Sequence, residues 1–340
     1  MGDGSARNEL EEVPTPSDDK VIIEEEVIGE DEVIIEEEVA DDITTEGTER
    51  TEGTEGIEGI EGIEGIEGTE GTLNHPECGL TENLSLRITF GSTAVPGQFP
   101  WMGSLIYTNS QGNRAHLCGG VLVGTRHVVT AAHCLEGQKG FRLTSVSFGQ
   151  TDISIPEGQE IRILEKFPHP KFIISPVAIY DIAVLQLAEE VEINSQVRPI
   201  CVSKPNPEIE DDMSNVQAVV AGWGRTESSW VSNTLQFTHL QTLNNTHCSL
   251  MYERALAEGR LGSLDLFSIL PNQLCASGAL NSDSCSGDSG GPLFMLDNDD
   301  RSYLIGVVSF GTNSCDSSLP GVYTRIPSFY SWILDTVREL

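Results

Sequence analysis

The fold is decided by the stretch NSDSCSGDSGGP at residues 281–292. It places Ser289 between Asp288 and a pair of glycines, and a second carboxylate, Asp283, lies six residues before Ser289. A serine hydroxyl is a weak nucleophile until a base takes its proton and N–H groups receive the oxyanion that forms on the attacked carbonyl. Glycines allow the tight turn that brings such N–H groups close to a substrate. Because a cluster of glycine and serine is by itself more often a surface loop, the interpretation depends on the rest of the chain.

Two upstream segments supply the remaining chemistry. TAAHC at residues 130–134 contains His133 beside a cysteine, and YDIAVL at residues 180–185 opens an apolar run with Asp181. Hydrolysis by a serine needs an imidazole that takes the hydroxyl proton and a carboxylate that fixes the tautomer of that imidazole. We therefore predict that His133, Asp181 and Ser289 are catalytic.

In this order, the three segments resemble the signatures of the trypsin/chymotrypsin family of serine proteases, and the likeness extends from about Ile88 to the C-terminus. The resemblance implies an all-β fold of two antiparallel six-stranded β-barrels with a C-terminal helix, with the site in the cleft between the barrels. It also implies that the N–H groups of Gly287 and Ser289 form the oxyanion hole. Short apolar runs between turn residues, such as residues 120–123 and 304–309, favour the same fold, and helical spacing predicts a helix over 328–337.

The resemblance also implies a substrate preference. Asp283 corresponds to the acid at the base of the specificity pocket in trypsin-like members, and Ser284 adds a hydroxyl acceptor there. The walls of the pocket are assigned to Ser309, Gly311 and Gly321. A buried carboxylate favours a side chain that carries a guanidinium or ammonium group. The predicted activity is therefore cleavage of protein substrates after Arg or Lys.

RITFG at residues 87–91 resembles the activation junction of family zymogens. Cleavage after Arg87 would free the α-amine of Ile88, which by resemblance pairs with the carboxylate of Asp288 and orders the pocket. The chain departs from the family at Thr89 and Phe90, where Val-Gly is usual. The resemblance implies an activating trypsin-like protease and protein inhibitors as partners.

The eight cysteines allow many pairings by counting alone, and only the resemblance selects one set. The implied pairs are Cys118 with Cys134, Cys248 with Cys275, Cys285 with Cys315, and Cys78 with Cys201. The last pair would keep the segment before the activation site attached after cleavage. A zinc site is the competing interpretation, but no CxxC or CxxH spacing supports it, and no metal or cofactor is expected. Full pairing predicts an oxidising, extracellular compartment.

A signal peptide, a membrane span and glycosylation sites are the sequence features that would indicate where the protein is located. The first ten residues contain no apolar core of a signal peptide, so the chain as written either lacks its leader or is secreted by another route. No stretch approaches the roughly 18 apolar residues of a membrane span, which predicts a soluble, secreted product. Acceptor sequons at Asn83 and Asn244 fit a glycoprotein but are common by chance.

Residues 1–77 differ in composition from the rest of the chain. They contain 27 acidic and three basic residues, a net charge of −24 out of the total of −34. VIIEEEV occurs at residues 21–27 and again at 33–39, and Glu-Gly-Thr/Ile triplets follow from 52 to 72. High charge with few aromatic residues predicts a disordered acidic pro-segment, followed by a light-chain tether and activation site over residues 78–87 and a protease domain over 88–340.

The acidic pro-segment has two interpretations. One is a solvated spacer, and the other is an arm that binds a basic partner, Ca²⁺, or the basic surface of the enzyme itself. The negative charge argues against nucleic-acid binding, because phosphates would be repelled.

Three departures limit what the resemblance carries over. Gln150 replaces one acid of a loop that binds calcium in some members, although Glu160 remains, and Pro320 replaces the aromatic residue of sodium-responsive relatives. The interval from Cys248 to Cys275 is long and could narrow the substrate groove, which would favour limited proteolysis. The alternative function is an acidic binding or adaptor protein with a catalytically silent protease domain.

Overall fold

The computed structural model describes residues 73–82, 92–137, 140–174, 177–205, 213–224, 232–261, 268–278, 288–311 and 319–340. The acidic segment over residues 1–72 and the predicted activation site at Arg87 and Ile88 lie outside these ranges. The first described strand is the two-residue β1 (Ser92–Thr93).

Six strands of the first half of the described chain close into a barrel. They are β2 (Met102–Thr108), β3 (Arg114–Leu122), β4 (His127–Thr130), β5 (Arg142–Phe148), β6 (Gln159–Pro168) and β7 (Ala183–Leu187). Their order around the barrel is β2-β3-β4-β7-β6-β5, every pair is antiparallel, and β5 pairs back to β2. Strands β4 and β7 are buried along their whole length, because they line the interior and are also covered from outside.

A short strand, β8 (Cys201–Val202), leads to a second set of six strands. They are β9 (Gln217–Gly222), β10 (Gln236–Leu243), β11 (Gln273–Ser277), β12 (Pro292–Leu296), β13 (Ser302–Phe310) and β14 (Gly321–Arg325). Antiparallel pairing runs β9-β10-β11-β14-β13-β12 and closes from β12 to β9, while β1 adds to β10 and β8 lies parallel to β13. The prediction of two antiparallel six-stranded barrels is therefore confirmed.

An aromatic cluster joins the two barrels. Trp101, immediately before β2, packs edge-on against Phe294 of β12 with ring centroids 5.2 Å apart. Phe99 contacts both Phe294 at 5.5 Å and Phe237 of β10 at 5.1 Å. Each such pair contributes about 0.5–1.5 kcal/mol beyond the burial of its area. These ring contacts therefore help to hold the first barrel against the second.

The predicted C-terminal helix is confirmed as α2 (Tyr330–Glu339), which follows a 3₁₀ turn at Ile326–Phe329. It buries Ile333 and Val337, which are four residues apart and so lie on one face. Its end reaches the first barrel, where the amide of Gln186 donates to the backbone oxygen of Leu340 at 3.2 Å. None of the helices in the described ranges is long and apolar enough to cross a membrane.

The long interval between Cys248 and Cys275 begins inside a second helix, α1 (Asn245–Ala257). The side chain of Asn244 caps its first turn by accepting from the N–H groups of Thr246 and His247. Cys248, Tyr252 and Ala255 recur at helical spacing and are buried. The sequence reasoning missed this helix because its hydrophobic stripe is narrow and begins at a cysteine.

Residues 73–82 pack along the second barrel. The guanidinium of Arg301 donates to the backbone oxygen of Cys78 at 2.8 Å, and the N–H of Ser302 donates to the oxygen of Gly79 at 3.0 Å. The N–H of Val202 donates to the Asn74 side chain at 2.7 Å. Hydrogen bonds on both sides of Cys78 therefore hold this segment in addition to its disulfide.

Candidate active site

His133 lies on a 3₁₀ turn, Ala132–Leu135, directly after β4. The turn is anchored by the disulfide between Cys134 and Cys118. The hydroxyl of Tyr107 donates to the backbone oxygen of Cys134 at 2.6 Å, and burial raises the pKa of this phenol well above its usual range. The phenol therefore acts as a permanent donor, and the backbone at His133 is fixed from two sides.

Asp181 lies just before β7, and its side chain is 1 % exposed. Its Oδ2 lies 2.7 Å from Nδ1 of His133, and its Oδ1 accepts from the backbone N–H of His133 at 3.0 Å. The hydroxyl of Ser309 donates to Oδ2 at 2.6 Å, and that of Thr324 donates to the backbone oxygen of Asp181 at 2.7 Å. A buried carboxylate is costly unless its oxygens are hydrogen-bonded, and here both accept. The structure thus brings two of the three predicted catalytic side chains into direct contact.

Ser309 and Thr324 reveal positioning contacts that sequence reasoning missed. Ser309 was expected only in the wall of the specificity pocket, but its buried hydroxyl points to Asp181. The pairing of β13 with β14 shifts register between Val308 and Phe310, at the position of Ser309. No local pattern signals this contact, because it joins residues 128 positions apart.

Ser289 lies in a turn pressed against the end of β4. The N–H of Gly119 donates to the backbone oxygen of Ser289 at 2.8 Å. Gly290 has φ of +78°, and a Cβ there would lie 2.2 Å from Oγ1 of Thr130 and 2.5 Å from the oxygen of Gly119. Glycine is therefore required for this close approach, which sets Ser289 beside the chain that leads to His133. Within the described ranges, the Ser289 hydroxyl makes no hydrogen bond.

The carboxylate of Asp288 sits in a notch between two glycines. Its Oδ1 accepts from the N–H of Gly224 at 2.8 Å. A Cβ at Gly222 would lie 1.9 Å from Oδ1 of Asp288, and one at Gly224 would lie 2.6 Å from it. Larger residues at these two positions would expel the carboxylate from the notch. Its predicted partner, the amine of Ile88, lies outside the described residues, as does Arg87.

The specificity pocket is described only in part. Asp283, Ser284 and the oxyanion-hole residue Gly287 fall outside the described ranges. Of the predicted wall residues, Gly311 and Gly321 face each other, since a Cβ on Gly311 would lie 3.9 Å from the Cα of Gly321. A side chain at Gly311 would therefore come into van der Waals contact with the backbone of β14.

Three disulfides are present in the described part of the chain. Cys78 is joined to Cys201, Cys118 to Cys134, and Cys248 to Cys275. Cys285 and Cys315 lie outside the described residues. The donor atoms of Cys118, His133 and Cys134 lie within 4.8 Å of one another, as in a metal site. Because the two sulfurs are bonded to each other, they offer no thiolate to a metal.

The loop between β5 and β6, where some family members bind calcium, is held by protein groups. Glu160 accepts from Arg114 at 2.6 Å and from the hydroxyl of Ser145 at 2.7 Å. The side chain of Gln150 accepts from Ser147 at 2.5 Å and donates to the oxygen of Ile155 at 2.6 Å. The Glu160 carboxylate and the oxygen of Ile155 are thus both hydrogen-bonded to protein donors.

Comparison with known proteins agrees with this geometry. The family model described as Trypsin matches residues 88–333. Melanization protease 1 of Drosophila melanogaster is 34% identical over 288 residues, covering 77% of this chain and 68% of that protein. CLIP domain-containing serine protease B15 of Anopheles gambiae is 35% identical, covering 76% and 72% of the two chains.

Phenoloxidase-activating factor 1 of Holotrichia diomphalia is 31% identical over 269 residues, covering 74% of this chain and 70% of that protein. The family match spans well over half of the chain and includes both barrels and all three segments that carry His133, Asp181 and Ser289. The chain therefore belongs to the trypsin family of serine proteases.

Proposed function

We propose that this protein is a secreted serine endopeptidase zymogen, which cleaves protein substrates after Arg or Lys once the chain has been cut between Arg87 and Ile88. The contact between His133 and the buried Asp181 carries the proposal, because a carboxylate held by three donors has one evident use, which is to orient that imidazole. The close approach of Gly290 to Thr130 supports the inclusion of Ser289, because Thr130 ends the strand that leads to His133.

In the proposed reaction, the Ser289 oxygen attacks the scissile carbonyl while Nε2 of His133 takes the hydroxyl proton. The imidazolium is stabilised by Asp181, and the new oxyanion is received by the N–H groups of Gly287 and Ser289. His133 then returns the proton to the leaving amine. Water repeats the sequence on the acyl-enzyme, so the serine is regenerated and one peptide bond is hydrolysed.

Specificity is assigned to Asp283, with Ser284 as an additional acceptor. Gly311 and Gly321 support this assignment only through their lack of side chains, because neither can project a side chain into the pocket that they would line. A guanidinium or ammonium group would pair with the carboxylate, whereas an apolar side chain would leave that charge buried without a partner.

Activation is assigned to the Ile88 amine and Asp288. The glycine notch supports this role, because it accommodates a carboxylate directly beside the nucleophile. The disulfide between Cys78 and Cys201 would keep the segment before Arg87 attached after cleavage.

Disulfides also favour an oxidising, extracellular location. The name of the Holotrichia diomphalia relative, phenoloxidase-activating factor 1, denotes activation of another protein, which supports limited proteolysis as the mode of action.

One feature of the site fits the second candidate, an adaptor with a silent protease domain, as well as the first. The Ser289 hydroxyl makes no hydrogen bond to His133 in the part of the chain that the structure describes. An uncleaved zymogen accounts for the same observation, since catalytic hydrogen bonds are often formed only after activation or on substrate binding.

An active-site titration separates the two candidates. The full-length chain is treated with a p-guanidinobenzoate ester before and after cleavage at Arg87, and the burst of released alcohol is measured. We expect close to one equivalent after cleavage and almost none before it. Arg87→Gln should resist activation under the same treatment, and Ser289→Ala should be cleaved but give no burst. A silent cleaved chain would refute the Arg- or Lys-specific endopeptidase, and a full burst from the intact chain would refute the zymogen.

A peptide-library profile of the activated enzyme tests the specificity assignment. Cleavage is expected after Arg and Lys, and Asp283→Ser should reduce kcat/KM for these sites by at least about 10²-fold. Faster cleavage after Phe or Leu in the unsubstituted enzyme would show that Asp283 does not line the pocket.

A further inference from the structure

The residue before Asp181 has an unusual backbone conformation. Four non-glycine residues of the described chain have positive φ, namely Asn74, Tyr180, Asn215 and Asp300. Asn and Asp tolerate the left-handed region because their short polar side chains bond to the local backbone. Tyr180, with φ of +52°, is the exception. A bulky residue in this region is strained and persists only where its surroundings impose the conformation.

The surroundings that impose it are an aromatic cluster formed by His169, Tyr180, Phe329 and Trp332. The rings of His169 and Tyr180 stack with centroids 5.2 Å apart and planes 8° from parallel. Phe329 meets the Tyr180 ring edge-on at 6.0 Å. Phe329 and Trp332 also contact His169, at 5.2 and 4.9 Å. The cluster therefore ties Tyr180 to the segment that enters α2.

The backbone around Tyr180 is tied to the same cluster. The N–H of Ile182 donates to the oxygen of Tyr180 at 2.9 Å, which closes a tight turn around Asp181. The N–H of His169 donates to the oxygen of Ile182, also at 2.9 Å. Both residues that flank Asp181 are thus held by groups belonging to, or bonded to, the aromatic cluster.

We infer that Tyr180 is a positioning residue: its ring, held in the aromatic cluster, maintains the left-handed turn that points the Asp181 carboxylate at His133. This inference rests on the proposed function, because it assigns Asp181 the role of orienting the imidazole. The Asp181 oxygens meet donors at 2.6–3.0 Å, so a rotation of the preceding peptide would break these bonds. A displacement of about 1 Å at such a site can cost about 10²-fold in rate.

A purely structural role for the ring is the competing explanation, and the location of Tyr180 separates the two. Tyr180 is half-buried and lines an open cleft of about 500 Å³ together with Lys171 and Trp332. Truncation of its ring would enlarge this cleft rather than leave a closed cavity. The loss of stability should therefore be moderate, while the loss of backbone geometry falls directly on Asp181.

The test uses the activated full-length enzyme and three substitutions of Tyr180. Tyr180→Ala removes the ring from a strained position and should lower kcat by about 10- to 100-fold, with KM within about twofold. It should also shift the midpoint of the acid limb of kcat/KM, which reports protonation of the essential base. Tyr180→Phe keeps the ring and should stay within about twofold of the unsubstituted enzyme. Tyr180→Asn, which tolerates positive φ without a ring, should recover most of the loss.

Tyr330→Ala is the matched control, since it removes a ring of the same size at the first residue of α2, next to Phe329. It should change the melting temperature without moving the acid limb. The inference is overturned if Tyr180→Ala keeps its kcat and acid limb, or if Tyr180→Asn is as impaired as Tyr180→Ala. Asp181→Asn and Ser289→Ala are assayed in parallel. If these two remain active, the proposed function itself fails, whatever Tyr180 does.

Discussion

Two contacts between a carboxylate and a nitrogen-bearing side chain have nearly equal length in different surroundings. Nδ1 of His133 lies 2.7 Å from Asp181, and the two side chains are 21% and 1% exposed. Nη2 of Arg114 lies 2.6 Å from Glu160, and these side chains are 50% and 41% exposed. The distances do not distinguish the two contacts. The surroundings of each contact account for the difference in role. The buried Asp181 positions a base, whereas the exposed Arg114–Glu160 pair adds little to stability.

More hydrogen bonds hold the buried carboxylate of Asp181 than hold the exposed carboxylate of Glu160. The Asp181 carboxylate also accepts from the His133 N–H and the Ser309 hydroxyl, so a change in one donor leaves a buried charge short of a bond. At Glu160, burial raises the pKa of the carboxyl, but the hydrogen bonds from Ser145 and Arg114 and the charge of Arg114 outweigh it and lower the pKa overall. Water can replace either partner of the exposed pair, which limits its contribution to about 0–1 kcal/mol.

The largest expected effect is that of Asp181→Asn. The amide keeps the size of the side chain but cannot hold His133 in the tautomer that accepts a proton, so kcat should fall by about 10⁴-fold. Glu160→Gln makes the same chemical change in the exposed contact and should leave kcat within about twofold. Both are measured with an arginine ester after activation, and unfolding curves check that both variants fold. More than a tenth of the original kcat in Asp181→Asn would contradict the comparison.

A second histidine, which is buried and hydrogen-bonded to no carboxylate in the described chain, extends the comparison. His127 opens β4, six residues before His133, and is 3% exposed. Neither of its ring nitrogens has a hydrogen-bond partner in the described chain. Burial, followed by the charge of Arg126, lowers its pKa to about 4. The unfolded chain therefore binds a proton at higher pH than the folded chain does, and stability is lost as the pH falls from about 6.5 towards 4.

We expect the titration of the His127 imidazole to lower the free energy of unfolding by about 3 kcal/mol when the pH falls to 4. Urea unfolding of His127→Leu between pH 7.5 and 4 should show a shallower loss than that of the unsubstituted chain. Gln186→Leu changes its cross-strand neighbour, which cannot ionise, and should keep the original slope. Equal slopes in the chain and in His127→Leu would show that His127 does not titrate in this range.

The parts of the molecule that sequence could predict are those set by local pattern. The apolar runs at residues 120–123 and 304–309 lie in or at the end of β3 and β13, because short apolar runs bounded by turn residues favour buried strands. The likeness of three short segments then implied how those strands close into barrels. The glycines after Ser289 predicted a tight turn, and the structure has one at Gly290.

The parts that sequence could not predict depend on contacts between distant residues. Ser309 was assigned to a pocket wall, since the direction of its hydroxyl depends on a register shift between β13 and β14. Arg114 reaches Glu160 across 46 residues, and no spacing rule links them. Tyr180 carries no sequence signal for positive φ, because tertiary packing overrides the preference of its residue type.

Ser309→Ala weakens the buried contact without removing it. The hydroxyl donates to a buried carboxylate at 2.6 Å, so its loss should lower kcat/KM by about tenfold and the free energy of unfolding by about 1.5 kcal/mol. Ser147→Ala is the matched control, because Ser147 is also 5% exposed but donates to the neutral side chain of Gln150. It should lower stability by about 1 kcal/mol and leave kcat/KM unchanged. Equal losses of kcat/KM in both variants would show that the hydrogen bond from Ser309 to Asp181 has no particular role in catalysis.

The smallest expected effect is at the exposed contact, and it sets the lower end of the comparison. A double-mutant cycle of Arg114→Ala and Glu160→Ala should give a coupling energy of about 0.2–1 kcal/mol at low salt. The coupling should shrink when NaCl is raised to about 1 M, because the Debye length then falls to about 3 Å. A coupling above about 2 kcal/mol that salt does not change would mean that Ser145 and the strands around Glu160 exclude water. The Arg114–Glu160 and His133–Asp181 contacts would then both be shielded from water. Their different roles would have to come from the chemistry of the side chains and not from their burial.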